Sequence, residues 1–495
     1  MRWSVNRMIL GGCAVLLAAG PARAASPALP ALPAVESRDF AATAAKMAVG
    51  SRLRLENVQV ANTGETRALV LERFDVFTKD AKITVHGDGG EQKVVPPPAN
   101  VYFRGVIDGR PESRAFLARL EDGRTQGVIS DADDIYMIGG DPLAAKALGG
   151  PLEMQRVDPV QLKAARGQAF NCGNAQVPGL SGKGAVLDLD GITQATAPLE
   201  KEVAAATPAH TARVAIESDF EFYSLFNNTT NATNYVGNLI GYASTIYTAE
   251  LNTSLVVASV DLWTTSNDPW TQTSTFCGLL EFGKYWNQNK TGTSRTIAHF
   301  LSGKGLGGGI AWLNVLCHGA FNSGGASSCP GLGTESTPWG GGYGFTANIS
   351  GGFDINNPTV VWDIYSTSHE MGHNFGSPHS HCYNGLEGNA SPIDQCYGSE
   401  QNCYSGATSL PGSGRSGTIM SYCHLIGGYG AIALTFGTNF SFGVQPGREA
   451  AHMNSYISSV ASSNPACIAP VSVSGLFNDG FEGGAVPGLW SGKTP

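Results

Sequence analysis

Charged residues are scarce in this chain. Only 14 % of its 495 positions are Asp, Glu, Lys or Arg, and 31 Lys and Arg stand against 40 Asp and Glu, for a net charge of −9. No basic patch is present, so a nucleic-acid partner is not expected. Past the N-terminus no apolar run reaches the roughly 18 residues that a spanning helix needs, so no membrane partner is expected either. The expected state is a monomer.

The N-terminus has its own pattern. Arg2 and Arg7 form a positive flank, Met8 to Ala19 is apolar, and Ala22-Arg23-Ala24 is a small-residue cleavage site. Residues 1–24 therefore read as a secretory signal, and the product as secreted and extracellular. Leu10-Gly11-Gly12-Cys13 faintly resembles a lipoprotein signal, but the apolar run continues past Cys13. Of the ten cysteines, Cys13 leaves with the signal and Cys172 stands alone. The other eight lie between Cys277 and Cys467. In an oxidising compartment those eight imply up to four disulfides, whose pairing the spacing does not resolve.

The length points to two folded units with tails. Arg52 to Val60, Thr66 to Phe77 and Asn100 to Val106 alternate apolar with polar residues, and Gly87-Asp88-Gly89-Gly90 and Asp108-Gly109 mark turns. This predicts a β-rich first unit. Gly139 to Pro208 loses the rhythm and turns Ala-, Gly- and Pro-rich. A second unit opens with a strand at Thr211 to Phe222, a helix at Asn234 to Glu250 and a strand at Leu255 to Trp263. Helices are expected at Phe276 to Asn287 and Arg295 to Leu301, and a buried strand at Ile310 to Leu316. Such alternation argues for a helix-backed α/β sheet. Tyr343 to Ser350 alternates between glycines and reads as an exposed edge strand, the kind that accepts an extended peptide.

The densest signal is His369-Glu370-Met371-Gly372-His373-Asn374-Phe375-Gly376-Ser377-Pro378-His379, which spells HExxHxxGxxH. On a helix, His369 and His373 share a face and present two imidazoles to one metal, with Glu370 beside them. Gly376 can take positive φ, end the helix and turn His379 back as a third ligand. Three nitrogen ligands and an open position describe a catalytic zinc site, with Glu370 as general base toward a Zn2+-activated water. Val360, Val361, Ile364 and Tyr365 form an apolar stripe that would anchor the helix. His381 and His424 read as cleft or surface residues, since a zinc with an open position needs no fourth histidine.

With these residues in view, the sequence resembles the metzincin metalloproteases, most closely the adamalysin or reprolysin-like branch. Gly376-Ser377-Pro378-His379 resembles that branch's Gly-x-Pro-His ending, and Gly309-Ile310-Ala311-Trp312 through Cys317 its Gly-x-Ala strand. Thr418-Ile419-Met420-Ser421-Tyr422 is similar to the methionine turn that places Met420 beneath the ligands. The resemblance covers about Thr211 to Ala469, and more loosely Tyr102 to Gly139 as a reprolysin-type propeptide. It implies an α/β (α+β) catalytic domain with a mixed five-stranded sheet and a zinc helix, preceded by a β-rich propeptide. It also implies a Cys317–Cys467 disulfide. Three positions depart from it. Ser380 stands where adamalysins carry Asp after the third histidine. Thr296 stands where a calcium-site Asp is usual, which argues against Ca2+. Tyr422 is similar instead to the astacin and serralysin pattern, and is expected as a labile fifth ligand or transition-state hydrogen-bond donor.

Cys172, in Phe170-Asn171-Cys172-Gly173-Asn174, resembles the inhibitory cysteine of metzincin propeptides. A thiolate there would occupy the open position and hold the precursor inactive. The alternative is an unpaired cysteine or one bridged to the second unit. The division that follows is signal 1–24, inhibitory propeptide 25–208, protease domain 209–470 and a tail, 471–495. Cleavage is expected in the exposed run Ala195 to Pro208, where no dibasic site occurs, and Leu476 to Gly484 resembles a motif at the ends of exported bacterial proteins. The function expected is a secreted zinc endopeptidase acting on extended polypeptides and restrained by its own propeptide. Its rivals are an adhesion protein on the same fold and a zinc hydrolase of non-peptide bonds.

Overall fold

Alternation in the first third of the chain produces half-buried strands that need a common interior, and in the computed structural model they find it by closing on one another. The structure describes residues 32–131, 134–139, 150–158, 170–176, 208–334 and 337–470. The signal, nearly all of the expected cleavage run and the C-terminal tail lie outside these residues. The first unit holds β1 (Ala34–Glu36), a short helix α1 (Phe40–Ala44), β2 (Arg52–Val60), β3 (Thr66–Phe74), β4 (Phe77–His86) and β5 (Gln92–Val95). It continues with β6 (Val101–Ile107), β7 (Arg110–Arg119), β8 (Thr125–Ser130), β9 (Ile135–Ile138) and β10 (Glu153–Arg156). Strands β2, β10, β9, β8, β7, β6 and β3 pair in that order, and β3 pairs back to β2, so seven strands form a closed barrel. Closure removes the sheet edges. Leu53, Leu55, Leu69, Leu71, Phe103, Leu117 and Ile129 fill its core, with Phe40 of α1 against Phe103.

The second unit contributes β12 (His210–Ser218), α2 (Phe220–Ser224), α3 (Thr229–Leu251), β13 (Thr253–Trp263), α4 (Thr275–Asn289), β14 (Ile297–Leu301) and β15 (Gly308–Ala311). After β16 (Phe321–Ser323), β17 (Thr337–Gly340) and β18 (Tyr343–Thr346) come α5 (Val360–Asn374), α6 (His424–Gly427), α7 (Arg448–Ser463) and β19 (Ile468–Pro470). Strands β13, β12, β14, β18 and β15 lie side by side, but the sheet does not stop at five. From the first unit, β4 pairs parallel with β13 and carries β5 beside it. The two-residue strand β11 (Asn171–Cys172) pairs parallel with β15, and β19 pairs with the start of β12, making nine strands. The β-rich first unit is not self-contained: its β4–β5 hairpin leaves the barrel for the other unit's sheet.

Two further expectations are corrected. Arg295 to Leu301 is no helix. Ile297–Leu301 is a strand with all five residues buried, and a strand covered on both faces carries a continuous apolar run that periodicity cannot tell from a buried helix. Tyr343 to Ser350 is no exposed edge, because β18 is buried between β14 and β15. Its alternation comes from Gly344, where a Cβ would sit 2.8 Å from His299 Nδ1, and Thr346, which bonds His299 Nε2 at 2.8 Å. The edge beside the motif helix is β15, shorter than the expected Ile310 to Leu316.

The units are packed through α3. Its N-cap Asn228 accepts from Asn231 N, and Asn252 ends it with φ +49°. A Cβ at Gly237 would lie 2.6 Å from Tyr102 Oη, and one at Gly241 2.4 Å from Phe116, so this face admits the barrel's aromatics only because it is glycine. Arg104 donates to Glu72, Thr248 and Ser254, and Arg114 to Glu250. His86 of β4 shares Asp261 Oδ1 with Lys290 and stacks on Trp263 at 4.1 Å. Disulfides join Cys277–Cys329, Cys317–Cys467, Cys382–Cys403 and Cys396–Cys423. The Cys317–Cys467 pair is the expected one, and the irregular segment from Cys382 to Cys423 is closed by two bridges.

Candidate metal centre

The residues of the motif come together because three local features hold α5 and its exit. Near the N-terminal end, Asp363 accepts from Tyr235 Oη at 2.6 Å and from Ser350 N and Gly351 N. In the middle, Tyr247 Oη donates to Ser368 O. At the exit Asn374 Nδ2 donates to Trp312 O and Tyr343 O, and Gly376 takes φ +101° while Ser377 N bonds back to Gly372 O. This is the expected turn. It returns His379 to within 4.7 Å, ring to ring, of His373 and 5.2 Å of His369.

Each imidazole has its outer nitrogen committed. Nδ1 of His369 donates to Ile419 O, that of His373 to Ser377 O and that of His379 to the Glu400 carboxylate, all at 2.7 Å. Donation from Nδ1 leaves the Nε2 lone pair of each ring free to bind a cation. Nε2 of His369 and of His379 is buried without a hydrogen-bond partner among the described residues, and His373 Nε2 lies 3.4 Å from Cys172 Sγ. These four ligand atoms fall within 4.8 Å of one another. Burial and the neighbouring rings push His369 well below the usual imidazole range and His373 to about 3, so both stay neutral. Three preoriented nitrogens, two of them without a hydrogen-bond partner among the described residues, fit a tetrahedral zinc, with Cys172 Sγ near the fourth corner.

Met420 packs against the motif helix, where a Cβ on Gly372 would approach its Sδ to 2.5 Å. Glu370 is buried with Oε1 unpartnered and Oε2 3.6 Å from Cys172 Sγ, and burial pushes its carboxyl well above the usual range. Gly309 lets it sit there, since a Cβ on that residue would meet Glu370 Cγ at 2.5 Å. Cys172 is fully buried and, among the described residues, is the cysteine outside any disulfide. Burial and Glu370 push its thiol up, so ionisation there needs a cation. Its segment is held by backbone and side chains together. Asn171 N donates to Gly307 O, Tyr422 Oη to Cys172 O and His424 Nε2 to Phe170 O, while the Asn174 amide exchanges two bonds with the Ala311 backbone. Tyr422 is buried with its ring 4.5 Å from that of His379.

His381 and His424 are not surface residues. Both are buried; His381 Nε2 shares Glu400 with His379, and His424 closes over Phe170. Sequence reasoning missed Glu400, a lone acid in an irregular loop with no spacing to mark it. Burial would raise its carboxyl, but the attraction of His379 and bonds from both imidazoles hold it well below the usual range. It also missed Glu449 of α7. Where Asp was absent after His379, Ser380 Oγ bonds the Glu449 carboxylate together with Thr418 Oγ1, so an acid from another helix joins the third-ligand segment to the methionine turn. Burial pushes Glu449 up to about 8. Thr296 bonds Arg213 N and Cys467 O, a tie between strand and C-terminus.

Residues 209–425 match Reprolysin_5, described as metallo-peptidase family M12. Among solved structures, metalloproteinase-II from Bacteroides fragilis is similar over 71 % of this chain and 90 % of its own, at 12 % identity and a TM-score of 0.35, too distant to carry an argument. No curated protein sequence matches the chain.

Proposed function

We propose, from the match of residues 209–425 to metallo-peptidase family M12, that the protein is a secreted zinc endopeptidase, held latent by its own first unit. The observation that carries this reading is the set of converging Nε2 atoms beside an unpartnered Glu370 oxygen, with Cys172 Sγ of the first unit among them. His369, His373 and His379 would hold the zinc, which when bound supplies a Lewis acid and lowers the pKa of water to about 7. Glu370 takes the water's proton and passes it to the leaving amide nitrogen; a carboxyl raised by burial is suited to both steps. Tyr422 Oη, which now donates to the Cys172 carbonyl, donates to the substrate carbonyl once that segment has left. The outer flank of β15, now covered by β11, takes the extended substrate by backbone bonds once that segment has left.

Latency follows from the same contacts. Cys172 fills the fourth corner, and Phe170 to Asn174 covers the cleft. Cutting between 177 and 207 would free this segment to leave. No helix among the described residues is long and apolar enough to cross a membrane, and four disulfides suit an oxidising compartment. The test is incubation of processed protein with denatured casein, with and without chelator, beside Glu370→Ala. Chelator-sensitive cleavage that the substitution abolishes is expected. Binding without cleavage would replace the protease by an adhesion protein.

A further inference from the structure

Phe170 is 1 % exposed, and the four rings recorded against it all belong to the second unit. Trp362, Tyr365, His369 and His424 meet it edge to face, with centroids at 5.3, 5.8, 5.5 and 5.9 Å. Those rings brace one another without it. Trp362 packs on Tyr365 at 4.7 Å and on Tyr429 at 4.1 Å, Tyr365 Oη donates to Ser421 O, and Trp362 and Tyr365 line a small cavity with Tyr429, Leu434 and Arg415 and with Ile135 of the barrel. The occupant sits two residues from the thiol that lies beside His373, immediately before the short strand paired with β15. A side chain there is therefore placed as a substrate residue close to the scissile bond would be.

We propose that this ring-lined recess is the main specificity subsite, and that it selects polypeptides with an aromatic side chain within two residues of the scissile bond. Phe170 fills it in the precursor as a stand-in for that residue. The inference rests on the endopeptidase reading and deepens it. Edge-to-face packing on four rings favours a flat aromatic over an aliphatic of similar size, because the positive ring edges meet negative faces. A small side chain leaves the recess unfilled.

Two measurements test it. In the first, full-length protein is cut within 177–207 by a trace of added protease, purified, and given a peptide library randomised around the bond it cleaves. Phe, Tyr or Trp should be favoured about tenfold or more over Ala at one position within two of that bond. Cleavage without aromatic preference would overturn the subsite and leave the endopeptidase standing; no cleavage of any peptide would sink both. In the second, uncut full-length chains carrying Phe170→Ala, Phe170→Tyr or Phe170→Trp are compared for reaction of Cys172 with a thiol reagent. The Ala variant should react about tenfold faster than wild type, with the two aromatic variants restoring protection. Equal protection in Phe170→Ala would overturn the proposal even if the library showed a preference.

Discussion

Glu400→Gln isolates a buried carboxylate that no spacing in the sequence marks. Its Oε2 accepts from His379 Nδ1 and His381 Nε2, both at 2.7 Å, on a side chain 2 % exposed. Each bond is charge-assisted and contributes about 1.5–3 kcal/mol, roughly twice a neutral one. Glutamine keeps the shape and can turn its oxygen to His379, but it loses the charge that makes this imidazole a stronger donor to a metal. Loss of such a partner typically weakens metal binding about 10–100-fold, which is about 1.4–2.8 kcal/mol. Zinc-loaded full-length protein, wild type and variant, would be titrated with chelators of graded strength while released zinc is read. Unfolding in excess chelator supplies the control, and there the two proteins should differ less than they do with zinc. Were the variant to hold zinc within about twofold of wild type and lose the same stability with and without chelator, Glu400 would be a loop-packing residue.

Glu449, raised to about 8, holds its proton in the native state after the unfolded chain, near 4.3, has released it. Between those values stability should therefore fall as pH rises, by at most about 1.4 kcal/mol per pH unit, and Glu449→Gln should flatten urea midpoints measured from pH 5 to 8. Equal slopes in both proteins would contradict this. Tyr422→Phe should lower kcat of the processed enzyme about 10–100-fold with KM within about twofold, and an unchanged kcat would remove the transition-state role. Gly372→Ala forces a Cβ to 2.5 Å from Met420 Sδ and 3.4 Å from Phe436, and denaturant unfolding should report a loss of about 1–3 kcal/mol.

Much of the fold was legible where a strand or helix faces one way. Arg52–Val60 alternates and is a strand over those residues, and Asn234 to Glu250 lies inside α3. Legibility failed where both faces are covered, as at Ile297–Leu301, and where a small residue stands in for a polar one, as at Gly344. It failed too for β4. The expected strand from Thr66 ran on to Phe77, where β4 begins, and none was expected from there to the turn at Gly87; nor could the sequence mark which sheet β4 joins, since backbone pairing with β13 is indifferent to side-chain identity.

By itself the sequence determined how the three motif histidines come together. Two histidines four apart on a helix, a glycine that turns the chain and a third histidine just beyond are local relations, set by helical pitch and by φ at one residue. Only the tertiary structure decided what supports that set. Glu400 reaches His379 across 21 residues, Glu449 reaches Ser380 across 69 and Cys172 reaches His373 across 201. Such partners meet because separate elements pack on a shared core, and nothing in the periodicity of either segment records where the other will lie.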